Sequence, residues 1–282
     1  MKYKMIVMDM DGTLLSSDKS ISDKNRSAIE KAYNMGVKIV ISTGRMFASA
    51  KVYGEMIGVD TPIIASNGAF IRDKDKDEVI FSKMLGEQNI REILRITKNY
   101  NLNCHLFTFD TVFSEKLEYT ALNYNKWNKA LPEDKRVKIC IINASEWDAV
   151  INEYSDKLLK AVVVSDNTEC IIASRQEISK LNVEIVSSWI NNYEVMNKGV
   201  SKGNAVDVLA KYYNIDKSEI ICMGDHENDI SMIEYAGLGV AMGNATEDTK
   251  NAASFITLTN NDDGVAYVIE KFILNPSENP ED

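Results

Sequence analysis

Only two histidines and four cysteines occur in 282 residues, and neither type shows a paired spacing. Cys104, Cys140, Cys170 and Cys222 are scattered, which argues against a zinc site or a disulfide framework and for reduced core thiols in a cytoplasmic protein. His105 and His226 are too far apart for a histidine metal site. No apolar run approaches membrane length, and the N-terminal run is broken by Asp9 too soon for a signal peptide. Basic charge is in deficit, with 32 Lys and Arg against 42 Asp and Glu, a formal charge of -10. That argues against nucleic acid or a membrane surface as the main partner. It leaves room for a phosphorylated small molecule, because a local cluster of donors outweighs the global field. Internal repeats and low-complexity tracts are also missing. What is present is a composition of 45% hydrophobic and 26% charged residues, that of a globular protein. The length suits two domains, or one domain with a large insertion, as a monomer or small homo-oligomer.

The most informative stretch is Met5-Ile6-Val7-Met8-Asp9-Met10-Asp11-Gly12-Thr13. An apolar run with the length of a buried strand stops at two carboxylates one residue apart, and Gly12 lets the chain turn away. Residues two apart in an extended segment point the same way, so Asp9 and Asp11 are expected to face one site, as nucleophile or metal ligand and as acid/base. Asp-Gly-Thr is also ordinary turn chemistry. A calcium loop fails on spacing, since its turn glycine would fall on Leu14 and its closing glutamate on Ser20.

Strand and helix patterns then alternate. Helices are expected over 21–35 and 46–57, and strands over 37–41 and 62–65, each strand ending in small polar residues such as Ser42-Thr43-Gly44-Arg45 and Ser66-Asn67-Gly68. This is the pattern of a doubly wound, mostly parallel α/β sheet. A hairpin follows over 71–81, and residues 83–188 read as an inserted α+β unit with helices over 87–100, 117–129, 145–158 and 168–180. The doubly wound pattern resumes at Ser201, so the expected organisation is a core of 1–82 plus 189–282 and a cap of 83–188, joined near Ser82-Lys83 and Ser188-Trp189. The tail over 275–282 is rich in Pro, Glu and Asn and is expected to be disordered. Trp127, Trp147 and Trp189 read as core or cap surface.

Polar clusters therefore sit at comparable places. Asp9/Asp11, Ser42/Thr43/Gly44 and Asp225/Asn228/Asp229 follow apolar strands, and Ser201-Lys202-Gly203 opens a helix. In a parallel sheet such positions share one edge, where ligands bind. Together they supply a nucleophile, carboxylates for a hard cation, a hydroxyl with backbone donors, and a lysine, which is the inventory of phosphoryl transfer. An all-oxygen site of this kind suits Mg²⁺. The surrounding negative charge is expected to raise the pKa of Asp11, so that it carries a proton when needed.

The order Asp9-Met-Asp11-Gly-Thr13, Ser42-Thr43-Gly44-Arg45, Lys202-Gly203, Gly224-Asp225-x-x-Asn228-Asp229 resembles the haloacid dehalogenase superfamily. The long insertion between the second and third motifs is similar to that of its Cof-type branch, phosphatases of sugar phosphates and related metabolites. The resemblance implies an aspartyl-phosphate on Asp9, with Asp11 protonating the leaving oxygen and then activating water. It implies Mg²⁺ held by Asp9, Asp225 and the Asp11 main-chain carbonyl, and phosphoryl oxygens held by Met10, Thr43, Gly44, Lys202 and Asn228, with Asp229 behind them orienting the metal cluster or Lys202. The implied substrates are sugar phosphates or phosphorylated cofactors. Arg45 reads equally as an ion-pair partner or a substrate contact, Lys198 as solvated, and Asn67-Gly68 as a turn outside the site. Two alternatives stay open, a phosphomutase-like phosphotransferase and a non-catalytic phosphometabolite-binding regulator. Retention of both Asp9 and Asp11 speaks against the second, since binding alone needs no nucleophile.

Overall fold

The computed structural model describes residues 2–76, 78–187 and 190–276. The expected junction at residues 188 and 189, and positions 277–282 of the expected tail, lie outside them.

Two sheets organise the chain. The first begins with β1 (Met5–Met8), β2 (Lys38–Ser42), β3 (Pro62–Ala65), β4 (Phe70–Asp73) and β5 (Val79–Ser82). The second holds β6 (Asn103–Phe107), β7 (Thr111–Ser114), β8 (Lys138–Ile141), β9 (Lys160–Val164), β10 (Val183–Val186) and β11 (Asn192–Asn197). The chain then returns to the first sheet with β12 (Ile220–Gly224), β13 (Leu238–Ala241) and β14 (Phe255–Ile256). The first sheet has the order β14-β13-β12-β1-β2-β3-β4-β5, parallel except for the hairpin strands β4 and β5. The second has the order β10-β11-β9-β6-β7-β8 and is antiparallel except between β7 and β8.

In the core, β1 lies between β2 and β12, and the chain leaves β1 in one direction and comes back on its other side. That reversal makes a crevice beyond the carboxyl ends of β1 and β12, where doubly wound sheets bind ligands. All four residues of β1 are buried because helices cover both faces. Ile6 and Met8 pack with α1 (Asp23–Asn34), α2 (Phe47–Glu55) and α10 (Gly264–Ile269). Met5 and Val7 pack with Ala205, Val206 and Leu209 of α7 (Lys202–Tyr213) and Met232 of α8 (Ile230–Tyr235). Ser22 caps α1 by accepting from the Asn25 amide, and Ser201 caps α7 by accepting from the Asn204 amide.

The inserted unit has its own core. Ile90, Ile93 and Ile96 of α3 (Glu87–Asn99) repeat at helical spacing and pack on one sheet face with α5 (Trp147–Tyr154) and α6 (Thr168–Ile178). Each buried isoleucine contributes about 1.5–3 kcal/mol. The other face, with Phe107, Val112 and Val162, turns towards the core and meets Met46. The helix α4 (Tyr119–Asn128) lies at this boundary, where Trp127 stacks on Tyr53 of the core at 5.9 Å. Trp147 belongs to the cap interior, its indole N–H donating to Glu115.

The structure moves one segment. Asn192–Asn197, placed by sequence on the core side of residue 189, is a strand of the second sheet, paired with both β9 and β10. Its alternation is regular, with Tyr193 and Val195 in the cap interior, but its opposite face carries Asn192 and Glu194. A charge inside a strand hides the apolar signal that marks the other strands.

Candidate active site

The site is assembled at the crevice between β1 and β12. Asp9 and Asp11 follow β1, Thr43 and Gly44 follow β2, Lys202 opens α7, and Asp225, Asn228 and Asp229 follow β12. Two glycines permit this crowding. Gly12 adopts φ +83°, and a Cβ there would lie 2.3 Å from Asp225 Oδ2. A Cβ on Gly203 would lie 2.2 Å from the Ser231 carbonyl oxygen, so only glycine lets α7 approach α8 and bring Lys202 to Asp229.

Lys202 is fully buried, and its ammonium donates to Asp9 Oδ1 at 2.5 Å and Asp229 Oδ1 at 2.6 Å. Asp229 Oδ2 accepts from the main-chain amides of Asp225 and His226 at 2.9 and 3.1 Å. Both its oxygens are therefore engaged, and it braces the lysine and the loop. Thr13 donates to Asp225 Oδ1 at 2.9 Å. Asp9, Asp225 and Asp229 offer carboxylate oxygens that all lie within 4.8 Å of one another. Burial above all, and then Asp229 and Asp225, raise the Asp9 pKa well above the usual carboxylate range against the pull of Lys202. Burial and Asp229 push Asp225 up to about 6. The two aspartates keep Lys202 charged, raising its pKa although burial works the other way.

These observations test the fit of a divalent cation. Three buried carboxylates against one ammonium leave a formal excess of negative charge. The donors are all oxygen, which suits a hard cation. With Asp229 engaged, Asp9 and Asp225 are the carboxylates that fit it.

Asp11 departs from expectation. Its side chain turns towards Arg45, whose Nε and Nη2 donate to Oδ2 and Oδ1 at 2.6 and 2.8 Å, and Lys19 donates to Oδ1 at 2.8 Å. Burial works to raise its pKa, but Arg45 and then Lys19 outweigh it and bring it down to about 2. Burial, and after it the negative neighbours, raise Asp9 and Asp225, whereas at Asp11 the expected rise is reversed by Arg45 of the second motif and by Lys19, which lies outside the motifs. Arg45 is an ion-pair partner, and Lys198 pairs with Glu184 at the surface.

Thr43 is buried, its amide donating to the Ile64 carbonyl and its hydroxyl accepting from the Arg45 amide at 3.1 Å. Met10 buries its side chain, and its carbonyl accepts from the Leu15 amide, closing the turn after β1. A cleft of about 670 Å³ joins Asp9, Asp11, Thr43, Gly44, Asp225 and Asn228 to the cap, which contributes Asn123, Tyr124, Lys160, Asn192 and Glu194.

Three participants in this region escaped the sequence reading. Asn67 is buried between Asn228 and Glu194, and Lys160 pairs with Glu194 and donates to the Gly44 carbonyl at 2.7 Å. For Lys160 and Glu194 the sequence trace was polar residues in otherwise apolar cap strands, and for Asn67 a turn after β3.

Comparison with known proteins agrees with this geometry. The family described as haloacid dehalogenase-like hydrolase matches residues 6–269. A putative phosphatase, YxeH, of Bacillus subtilis is 30% identical over 276 residues, covering 96% of this chain and 99% of the relative. A 5-amino-6-(5-phospho-D-ribitylamino)uracil phosphatase, YcsE, of the same organism is 32% identical over 271 residues, covering 96% of each chain. A solved haloacid dehalogenase-like hydrolase from B. subtilis superposes with a TM-score of 0.83 at 29% identity, covering 96% of this chain and all of the other. Another, from Bacteroides thetaiotaomicron, gives 0.82 at 28% identity with the same coverage. The chain belongs to the haloacid dehalogenase-like hydrolases of the Cof type, and is a phosphoric monoester hydrolase with an α/β core and an inserted cap.

Proposed function

We propose that this enzyme hydrolyses phosphate monoesters of small polyhydroxylated metabolites through an aspartyl-phosphate on Asp9. The observation that carries the reading is the buried Asp9–Lys202–Asp229 cluster at the mouth of the crevice. Lys202 holds Asp9 by Oδ1, which leaves Oδ2 to attack phosphorus while the ester oxygen departs on the opposite side. Water then attacks the acyl phosphate, releasing inorganic phosphate and restoring Asp9. Thr43, the Gly44 backbone, Lys202 and Asn228, with the Met10 backbone, receive the phosphoryl oxygens. Asp11 serves as the acid that protonates the leaving oxygen and the base that takes the proton of the water. With its pKa at about 2 beside Arg45 and Lys19, it must swing free of both to carry that proton. Mg²⁺, when held by Asp9, Asp225 and the Asp11 carbonyl, supplies the positive charge that lets an anionic nucleophile approach a phosphate dianion.

The cap side of the cleft supports the substrate class. Thr120, Asn123, Tyr124 and Asn192 present hydroxyl and amide groups, which suit a leaving group rich in hydroxyls. One relative carries the name of a phosphatase for a phosphoribitylamino compound, which fits the same class. A phosphate-release screen over sugar, polyol and cofactor phosphates, with Mg²⁺ and with chelator, tests the reading. Turnover of a subset that requires Mg²⁺ is expected. Activity that survives complete chelation, or that persists in Asp9→Asn, would reject it.

A further inference from the structure

One chain of hydrogen bonds runs from the cap sheet into the fourth motif. Lys160 of β9 and Glu194 of β11, both buried, form an ion pair in the cap. Glu194 Oε2 accepts from Asn67 Nδ2 at 3.0 Å, and Asn67 Oδ1 accepts from Asn228 Nδ2 at 3.0 Å. The Lys160 ammonium also donates to the Gly44 carbonyl, so the same pair reaches the second motif. Asn67 is only 1% exposed and adopts φ +56°, directly after Ser66 at φ +51°. Two successive non-glycine residues in the left-handed region are strained, and such strain persists where surrounding contacts over-determine it. A Cβ on Gly44 would meet Asn67 Oδ1 at 3.1 Å and Glu194 Oε1 at 3.5 Å, so the second motif is packed directly on this chain.

The chemistry of the chain gives it a direction. A carboxylate paired with lysine only accepts hydrogen bonds, whereas an amide has one donating and one accepting end. Glu194 therefore obliges Asn67 to turn its NH₂ towards the cap and its carbonyl towards Asn228. Asn228 must answer with its own NH₂. One N–H is occupied by Asn67, and the other belongs to a side chain lining the cleft beside Asp9. Without Glu194 both amides are free to flip together, which would set a carbonyl oxygen where a phosphoryl oxygen needs a donor.

We propose that Glu194 and Asn67 are positioning residues that fix the polarity of the Asn228 amide, so that the phosphoryl cradle is complete only when the cap is seated on the core. This rests on the reading of Asn228 as a phosphoryl ligand. Lys160 serves the same end by neutralising Glu194 and tying the Gly44 carbonyl to the cap.

The test uses inorganic phosphate, which has no leaving group for the cap to touch. Its affinity is measured calorimetrically at saturating Mg²⁺ for the wild type, Asn228→Ala, Glu194→Gln and Asn67→Gly. Glu194→Gln keeps size but replaces one carboxylate oxygen by a donor, and it also leaves Lys160 without its counter-charge, so its stability is measured alongside its affinity. Asn67→Gly removes the amide and suits the left-handed backbone, and it keeps the test alive if Glu194→Gln fails to fold. Each is expected to weaken phosphate about tenfold, the scale of one lost charge-assisted hydrogen bond. The Glu194→Gln/Asn67→Gly double variant is expected to be no weaker than the worse single one, because both act through the same amide. In turnover of p-nitrophenyl phosphate the loss should appear in kcat/KM to the same extent as with larger substrates. Unchanged phosphate affinity in Asn228→Ala would remove the underlying reading and the relay with it. Weakened binding in Asn228→Ala with wild-type binding in Glu194→Gln and Asn67→Gly would overturn the relay alone. So would additive losses in the double variant.

Discussion

Two buried lysines support the cleft, Lys160 lining it from the cap and Lys202 lying behind Asp9 in the core, and they are balanced differently. Lys202 of the core lies among Asp9, Asp229 and the nearby Asp225, three carboxylates against one ammonium. Lys160 of the cap has one carboxylate, Glu194, and one carbonyl, Gly44. The first cluster carries a formal excess of two negative charges, and burial together with that excess raises Asp9 and Asp225. The second is neutral as a pair. An unbalanced buried cluster is costly unless something arrives to complete it, and so marks the reacting centre. A balanced pair calls for no further ion, and its use is to hold neighbouring groups in place.

The largest effects come from the unbalanced side. Asp9→Asn is isosteric and keeps the partners of the loop, yet it removes the nucleophile, so turnover should fall by about 10⁴-fold or more. Asp11→Asn should be nearly as damaging with alkyl phosphates, whose leaving oxygen needs a proton, but should still phosphorylate Asp9 from an activated aryl phosphate. Rapid quench with labelled substrate and peptide mapping locates the label. A label on Asp11 or on a serine would end the mechanism.

Next is Lys202→Met. It leaves Asp9 and Asp229 buried without their cation, and loss of one partner from a buried pair costs about 3–5 kcal/mol. Urea unfolding in chelator should show that loss. Mg²⁺ should restore part of it, since a ligand bound only by the native state stabilises by mass action. The same Mg²⁺ stabilisation should be present in the wild type and absent from Asp225→Asn. An equal midpoint shift in Asp225→Asn would place the cation elsewhere.

The balanced pair should respond differently. Lys160→Met alone strands Glu194 and should destabilise on the same scale as Lys202→Met. Lys160→Met with Glu194→Leu replaces both charges by apolar groups, and such replacements are near neutral in stability. If the double variant is as unstable as the single one, the two clusters do not differ as described.

This contrast also explains what the sequence made legible. In the core, β1 and β12 are apolar throughout and β2 is apolar between its end residues Lys38 and Ser42, so the chemistry at their ends, Asp9, Thr43 and Asp225, stands out. Element order and the motif positions followed from that separation. In the cap, polar residues sit within the strands, and Glu194 and Lys160 look like interruptions of a hydrophobic pattern. Asn67 lay in a turn whose sequence is common, and its role appears only when β11 arrives from more than a hundred residues away. The lowered pKa of Asp11 was hidden for a similar reason, because its partners Arg45 and Lys19 are brought to it by the fold.

The smallest effect on turnover and the sharpest on the cap alone concerns His105. It is fully buried on β6, neither ring nitrogen has a hydrogen-bond partner, and burial lowers its pKa to about 4. Its strand neighbour across β9 is Val162, which offers no side-chain acceptor. The sign follows from linkage: an unfolded histidine titrates near 6.5, so between pH 6.5 and 4 the unfolded chain holds a proton that the folded chain lacks. Stability therefore falls as pH drops through that window, by on the order of 3 kcal/mol at its lower end. His105→Leu removes the titrating group, so the cap should lose this acid sensitivity while turnover at neutral pH is unchanged. Urea midpoints of the two proteins, measured from pH 7.5 to 4, should diverge on acidification, with the variant the more resistant. Parallel curves would mean that His105 contributes nothing to it, and that acid acts through carboxylates whose pKa the fold lowers, such as Asp11 and Asp110.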